Sequence, residues 1–169
     1  CCVFALLAGI FSDTLMGRNL TAITLADVGN GTAIVLTRGR RAAVIGCGGD
    51  YDAAAQVAAV LQSQNIDALD LLFLPRAAQT EASAAGQLLE TVPAKTVVCA
   101  ETVHELPDGT HVIAAGAGRV RLWGDVTLEY ITQGTLSCAL LEIGTQRFFL
   151  SFCPGGDVSR LPEGWICAP

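Results

Sequence analysis

The strongest constraint on the fold is a short run that is apolar on both faces and lies between two helix-like segments. The run is Leu69–Leu74, in which Asp70 is the one polar residue, and a second apolar run, Ala42–Ile45, precedes it. Strands that are apolar throughout are typical of a parallel sheet covered by helices. Helical patterns at Asp50–Gln64 and near Glu81–Thr91, with a strand pattern at Thr96–Cys99, complete the alternation. This order predicts a βαβαβ unit.

The C-terminal third differs, because short strand patterns there alternate with glycine turns. Four such patterns are found: Arg119–Trp123, Val126–Ile131, Cys138–Ile143 and Gln146–Phe152. A first strand within Leu20–Val28 and a hairpin that pairs Thr32–Leu36 with Ala42–Ile45 are predicted near the N-terminus. The chain has 169 residues, of which 51% are apolar and 15% charged, so it suits one domain with a full core. We expect a mixed α/β sandwich of the α+β type.

Two glycine motifs and their order give the chain a family resemblance. Asp27–Gly31 reads DVGNG, and Val44–Gly49 reads VIGCGG. With the strand and helix of Leu69–Glu90, this order resembles the metallo-β-lactamase-like domain at the C-terminal end of ComEC/Rec2-type competence proteins, which take DNA across the bacterial membrane. That family reads LDVGQGDA, then LIDxGG, then THxDxDHxGG and a helix ending in LLE. The resemblance implies an αββα sandwich, either complete or truncated at the C-terminus, and in active relatives a hydrolysis that depends on zinc or manganese.

The metal-binding motif of that family is degenerate in this chain. When the motif is laid without gaps on Leu69–Glu90, its two histidines fall on Arg76 and Glu81, and its two aspartates on Ala78 and Thr80. None of these four residues is the ligand that the family uses. The resemblance therefore implies a vestigial pocket with no catalytic residue, no metal ligand and no cofactor.

Four further residues complete the predicted vestigial pocket. Asp27 is interpreted as a turn residue whose carboxylate bonds nearby backbone amides. Gly46 stands where the family has an aspartate that orients a metal ligand. By the resemblance, Cys153 aligns with the aspartate that bridges the metals, and Cys47 lies across the same pocket. We expect these two cysteines to lie near each other without a bond, as buried inert thiols; a reactive thiol or a disulfide is the alternative.

Charge suggests what Arg76 does in this pocket. A cation at this position opposes metal binding. We expect it to form a salt bridge with Glu81, whose place near a helix start is favoured by the helix dipole. The only histidines, His104 and His111, lie in a polar turn region and are interpreted as surface residues.

The overall charge limits the partners. The net charge is −6 and the pI is near 4.7, whereas a protein that grips DNA needs clustered Lys or Arg. The basic cluster Arg38, Arg40 and Arg41 is interpreted as a polar hairpin turn, and Arg119 with Arg121 as an exposed strand face. We expect weak or no direct DNA binding and no small-molecule substrate.

The N-terminal segment bears on localisation. Cys1–Phe11 is apolar but shorter than the about 20 residues that cross a bilayer. The resemblance implies that residues 1–19 are the end of a membrane-proximal or transmembrane segment with its linker, and that residues 20–169 form the domain. A core-buried or amphipathic N-terminal helix is the alternative. The expected place is the bacterial cell membrane, as a soluble domain on the extracytoplasmic side.

Three functional hypotheses follow. The first is a non-catalytic domain of a ComEC/Rec2-like membrane protein for DNA uptake, which serves as a structural or interaction module. Its partners would be the membrane channel portion of the same longer chain and other proteins of the competence machinery. The second is a hydrolase, nuclease-like and of the same fold, with an atypical site. The third is a soluble binding protein of this fold that is unrelated to DNA uptake.

Overall fold

The computed structural model describes residues 20–101, 106–133, 136–152 and 165, apart from the side chain of Gln79. The predicted membrane-proximal segment and linker, residues 1–19, lie outside this part of the chain. The strands are β1 Ala22–Leu25, β2 Ile34–Arg38, β3 Arg41–Ile45, β4 Leu71–Leu74, β5 Val97–Cys99, β6 Val112–Ala114, β7 Ala117–Trp123, β8 Val126–Gln133, β9 Leu136–Ile143 and β10 Gln146–Ser151. The helices are α1 Ala53–Ser63, α2 Gln79–Ala82 and α3 Ala85–Thr91. None of the described helices is long and apolar enough to span a bilayer.

The first six strands form one sheet in sequence order, β1 to β6. Strands β1, β2 and β3 pair antiparallel, whereas β3, β4, β5 and β6 pair parallel. The connection from β3 to β4 runs through α1 and that from β4 to β5 through α2 and α3, as the βαβαβ prediction requires. The carboxyl ends of β3, β4 and β5 therefore meet at one edge of the sheet.

Helices cover one face of this sheet. Val57 and Leu61 of α1 and Leu88 of α3 are buried against Val44 and Leu72 of the sheet. All five side chains are less than 2% exposed, so each contributes about 1.5–3 kcal/mol of hydrophobic stabilisation. The short segment α2 lies in the connection between β4 and α3, and its Ala82 packs in the same cluster.

A second sheet of four strands, in the order β10-β9-β8-β7, covers the opposite face. All its pairings are antiparallel. Phe73 of β4 lies against Tyr130 of β8, with 4.7 Å between ring centroids, and Leu128 and Leu141 are buried beside them. The described chain thus has helices, a mixed sheet and an antiparallel sheet as successive layers.

Polar side chains join the two sheets at the edge opposite the carboxyl ends. The indole N–H of Trp123 donates to Oδ2 of Asp70 at 2.9 Å, and Lys95 Nζ lies 2.5 Å from Oδ1. Arg38 forms a salt bridge with Asp125. Burial raises the pKa of Asp70, but the bonds from Lys95 and Trp123 and the charges of Lys95 and Arg41 outweigh it, so the pKa is lowered. The carboxylate therefore stays ionised, and its bond from Trp123 links the two sheets.

Several local predictions need correction. The sequence pattern does not predict strand β6, and the helix predicted near Glu81–Thr91 is two short helices. The helix predicted to start at Asp50 begins only at Ala53, and no side-chain cap bond is present there. The remaining predicted strands are confirmed within a few residues of their expected ends.

Candidate functional site

Three loops converge where the parallel strands end. They are residues 26–33 after β1, 46–52 after β3 and 75–78 after β4. Backbone bonds tie them together: Thr32 N donates to Thr80 O at 2.8 Å, and Cys47 N donates to Glu81 O at 2.7 Å. The amide of Asp50 donates to Val28 O at 3.0 Å. The predicted pocket residues in the described part of the chain lie on these loops or in α2, at one edge of the sheet.

The close approach of two of these loops explains the glycine motifs. A Cβ built on Gly31 would lie 2.1 Å from the carbonyl oxygen of Gly48, so only glycine fits there. Asp27 is exposed and its Oδ1 accepts the amide of Gly29 at 3.3 Å. This agrees with the interpretation of Asp27 as a turn residue. The DVGNG motif thus shapes the loop and allows it to approach the loop after β3.

Gly46 and Cys47 follow β3 directly. Gly46 has φ 72°, and a Cβ on it would lie 2.7 Å from the carbonyl oxygen of Thr32. An aspartate at this position would be strained and crowded, so the loop is adapted to the absence of a side chain. Cys47 is fully buried, and burial raises the pKa of its thiol to about 12. The thiol is therefore protonated and unreactive at neutral pH.

The predicted partner of Cys47 is Cys153, which lies outside the described residues, so the expected proximity stays a prediction. Cys47, Cys99 and Cys138 are all buried. Burial also raises the pKa of Cys99, to about 11. These three cysteines lie in the core as small apolar residues do, and for Cys47 this confirms the expected burial.

The expected salt bridge between Arg76 and Glu81 is wrong. Within the described chain no ion pair involves either residue. Glu81 is 6% exposed, and its Oε2 accepts the hydroxyl of Thr80 at 2.5 Å. Arg76 is half-buried, and its Nε is buried without a hydrogen-bond partner in that part of the chain. The Thr80 hydroxyl bonds the carboxylate, and no anion among the described residues pairs with the guanidinium.

The donors present do not fit a zinc or manganese ion, which the resemblance to a metalloenzyme family would imply. The four motif positions supply a guanidinium, a methyl, a hydroxyl and a carboxylate, from Arg76, Ala78, Thr80 and Glu81. The carbonyl oxygen of Ala78 is already used within the fold, because it accepts the amides of Glu81 and Ala82 at the start of α2. Among the described residues no group of three or more His, Cys, Asp or Glu side chains could hold a metal. The described part of the pocket therefore does not suit a catalytic transition metal.

Three hydrogen bonds at this edge could not be read from the motifs of the sequence. Oε2 of Glu101, just after β5, accepts the amide of Ala77 at 2.9 Å. The hydroxyls of Ser137 and Thr132 both donate to the carbonyl of Pro75, at 3.0 and 3.2 Å. Glu101 could have been found, because an acidic residue directly after a parallel strand lies where ligands usually bind. The bonds from Ser137 and Thr132 to Pro75 could not be predicted from the local sequence, because they depend on how the two sheets pack.

The two histidines take no part in the site within the described chain. His111 is exposed, and its carbonyl accepts the amide of Val97 at the opposite end of β5. His104 lies outside the described residues. The surface interpretation therefore holds for His111.

No protein-family model and no curated protein sequence matches the chain. Solved structures do match it by fold. A subclass B3 metallo-β-lactamase, MEM-A1 from a soil metagenome library, has a TM-score of 0.56 at 14% identity over 79% of this chain and 59% of its own. A metallo-β-lactamase HARLDQ motif mutant from Cronobacter sakazakii has a TM-score of 0.56 at 14% identity over 71% and 55%.

A third similar structure is ETHE1 from Myxococcus xanthus, with a TM-score of 0.51 at 16% identity over 72% of this chain and 53% of that one. The chain therefore spans somewhat over half the length of these neighbours. At such low identity the similarity concerns the fold alone, and it agrees with the layers of helices and two sheets described above. The chain has the metallo-β-lactamase fold.

Proposed function

We propose that the chain is a non-catalytic metallo-β-lactamase-fold domain of a ComEC/Rec2-like membrane protein, and that it acts as a structural or interaction module in DNA uptake. The observation that carries this proposal is Arg76, a cation with a buried, unpartnered Nε at a position where the family has a histidine ligand. A desolvated positive charge raises the free energy of a bound cation at the same place.

The backbone around that position supports a structural role. The loops of the pocket are still joined by the amides of Thr32, Cys47 and Asp50. Backbone bonds of this kind do not depend on the metal-binding side chains, so a fold can outlast the loss of its site. We infer that the scaffold has been kept for its shape and surface.

The distribution of charge supports the expectation that the chain binds DNA only weakly or not at all. Arg38 is paired with Asp125, and Arg119 and Arg147 are both paired with Glu142, at 2.8 and 3.0 Å. Cations that already face carboxylates release few counterions from a phosphate backbone. The partners we propose are therefore proteins: the channel portion of the same longer chain, at the extracytoplasmic side of the bacterial membrane, and other competence proteins.

A hydrolase of the same fold with an atypical site is the second candidate, and Glu101 is the observation that favours it. Its carboxylate lies at the loop after β4, the loop that leads into α2 and Glu81. An oxygen-only donor set of this kind is the type that Mg²⁺ uses with one or two carboxylates. The activity assay must therefore include Mg²⁺ as well as Mn²⁺ and Zn²⁺.

The assay measures cleavage and binding of linear duplex and single-stranded DNA by the purified chain, with each metal added in turn. An active nuclease of the same fold serves as the positive control. We expect no cleavage, and a dissociation constant weaker than about 10 μM at physiological salt, within the range of non-specific binding. Metal-dependent cleavage that is abolished by Glu101→Gln would replace the proposal by the hydrolase.

The third hypothesis is a soluble binding protein unrelated to DNA uptake. The coding sequence upstream of Cys1 distinguishes it from the proposal made here. The proposal expects several hydrophobic segments of about 20 residues each in that sequence, long enough to cross the membrane. An upstream sequence without such segments would contradict the link to a membrane channel and leave the binding protein as the better hypothesis.

A further inference from the structure

A polar cavity lies at the edge of the six-stranded sheet opposite the candidate site. Its volume is about 480 Å³, within the range of small-molecule sites. It opens where β3, β4 and β5 begin, and residues of β7 form one wall. The lining residues that matter for its chemistry are Arg40, Arg41, Asp67, Asp70, Lys95 and Leu122.

Two of the three cations in this cavity already have anionic partners. Lys95, the only lysine of the chain, lies 2.5 Å from Oδ1 of Asp70. The other oxygen of Asp70 accepts the indole N–H of Trp123, so this carboxylate is fully engaged. Arg40 lies 3.8 Å from Asp67, but both side chains are more than 80% exposed, and such a pair contributes little.

Arg41 is the cation without a partner. It is exposed at the start of β3, and no salt bridge or side-chain hydrogen bond joins it to another residue of the described chain. Arg41 lies close enough to Asp70, which also lines the cavity, for its positive charge to help lower the pKa of that carboxyl. The cavity therefore carries an excess of positive charge in a chain whose net charge is −6.

We propose that this cavity binds a small phosphate-bearing ligand, with Arg41 as its anchor. The planar guanidinium of Arg41 can donate two parallel hydrogen bonds to a phosphate. A phosphate has enough oxygens to bond Lys95 or Arg40 as well, and its double charge competes with Asp67 and Asp70 better than a single carboxylate would. Leu122 offers an apolar surface to the rest of the ligand. The site is independent of the function proposed above, because it shares no residue with the vestigial pocket.

Isothermal titration calorimetry of the 169-residue chain with pyrophosphate tests this site. We expect saturable binding at one site, which Arg41→Gln weakens by about tenfold or more. Arg119→Gln is the matched control, because it removes the same charge from the outer face of the four-stranded sheet. It should change the affinity by less than about twofold, as expected for a distant charge at physiological salt.

The two tryptophans give a second readout by NMR. The indole N–H signal of Trp123 should shift on titration, because its acceptor Asp70 lies in the cavity, whereas the signal of Trp165 should not. The absence of saturable binding would overturn the proposal, and so would equal weakening by both variants. Citrate that binds as tightly as pyrophosphate would show a general attraction of polyanions and overturn the phosphate assignment.

Discussion

At the scale of single residues, Arg76 is the residue on which the proposed absence of a metal site depends most. The alignment places it on a ligand position, and simple charge reasoning pairs it with Glu81. That pair is absent because Glu81 is satisfied by the hydroxyl of the adjacent Thr80. A hydrogen bond between sequence neighbours costs less ordering of the chain than a salt bridge from loop to helix. The buried N–H of Arg76 therefore remains an uncompensated cost in the folded state.

That cost can be measured with Arg76→Met, which keeps the length of the side chain. We expect the free energy of unfolding to rise by about 1 kcal/mol, since a buried unsatisfied polar group costs about 1–3 kcal/mol. Arg38→Met is the control, because Arg38 is paired with Asp125 and the loss of that pair should lower stability slightly. Urea denaturation reports both. A loss of more than about 1 kcal/mol in Arg76→Met would mean that Arg76 has a stabilising partner.

At the scale of elements, the buried parallel strands could be predicted from the sequence, whereas the edge strand β6 could not. β3, β4 and β5 are apolar on both faces, and a run of this kind fits few structures besides a strand covered on both sides. β6 escapes prediction because it is three residues long and all three are exposed, so it carries no alternation of buried and exposed residues. Its existence depends on pairing with β5.

The helical segments show how tertiary contacts override local periodicity. The pattern near Glu81–Thr91 is continuous, yet the helix is interrupted at Ser83 and Ala84, where the amide of Ala84 donates to Cys47 O at 3.0 Å. Tyr51 falls within the helical pattern Asp50–Gln64, but it precedes α1 and is fully exposed. Loop contacts with distant residues cannot be inferred from periodicity.

The loop after β3 allows a matched test of how far the pocket has diverged. Gly46 and Gly109 both have positive φ, but a Cβ would meet the Thr32 carbonyl only at Gly46 and nothing within 4 Å at Gly109. Gly109→Ala should therefore cost only the backbone strain of about 1–2 kcal/mol. Gly46→Ala should cost more, by about 1 kcal/mol or above, as overpacking typically does.

Thermal or urea denaturation of both variants gives the comparison. Equal losses would indicate that the Thr32 loop yields easily, and that an aspartate could return to position 46 without difficulty. In that case the loop is not adapted to glycine, and the pocket is closer to a working site than we infer.

At the scale of the whole molecule, the fold and the site depend on different parts of the sequence. The fold is carried by dozens of buried apolar residues in two clusters on either side of the six-stranded sheet. A metal site depends on a handful of side chains at one edge, and the described positions hold Arg76, Ala78, Thr80 and Glu81. The edge itself could be predicted, since parallel strands fix where such loops meet. Glu101 could have been found at this edge from its place after β5, whereas the contact of Ser137 could not, because it requires the packing of the two sheets.

The proposed loss of the metal site is tested most directly by elemental analysis of the purified chain, produced in medium supplemented with zinc and manganese and purified without chelator. A metal-binding protein of the same fold, treated in parallel, shows that the procedure retains bound ions. We expect less than about 0.1 transition-metal ion per chain, because no described set of donors matches the three or four ligands that zinc requires. About one or more tightly held ions per chain, removable by a chelator, would contradict the claim that the metal site has been lost.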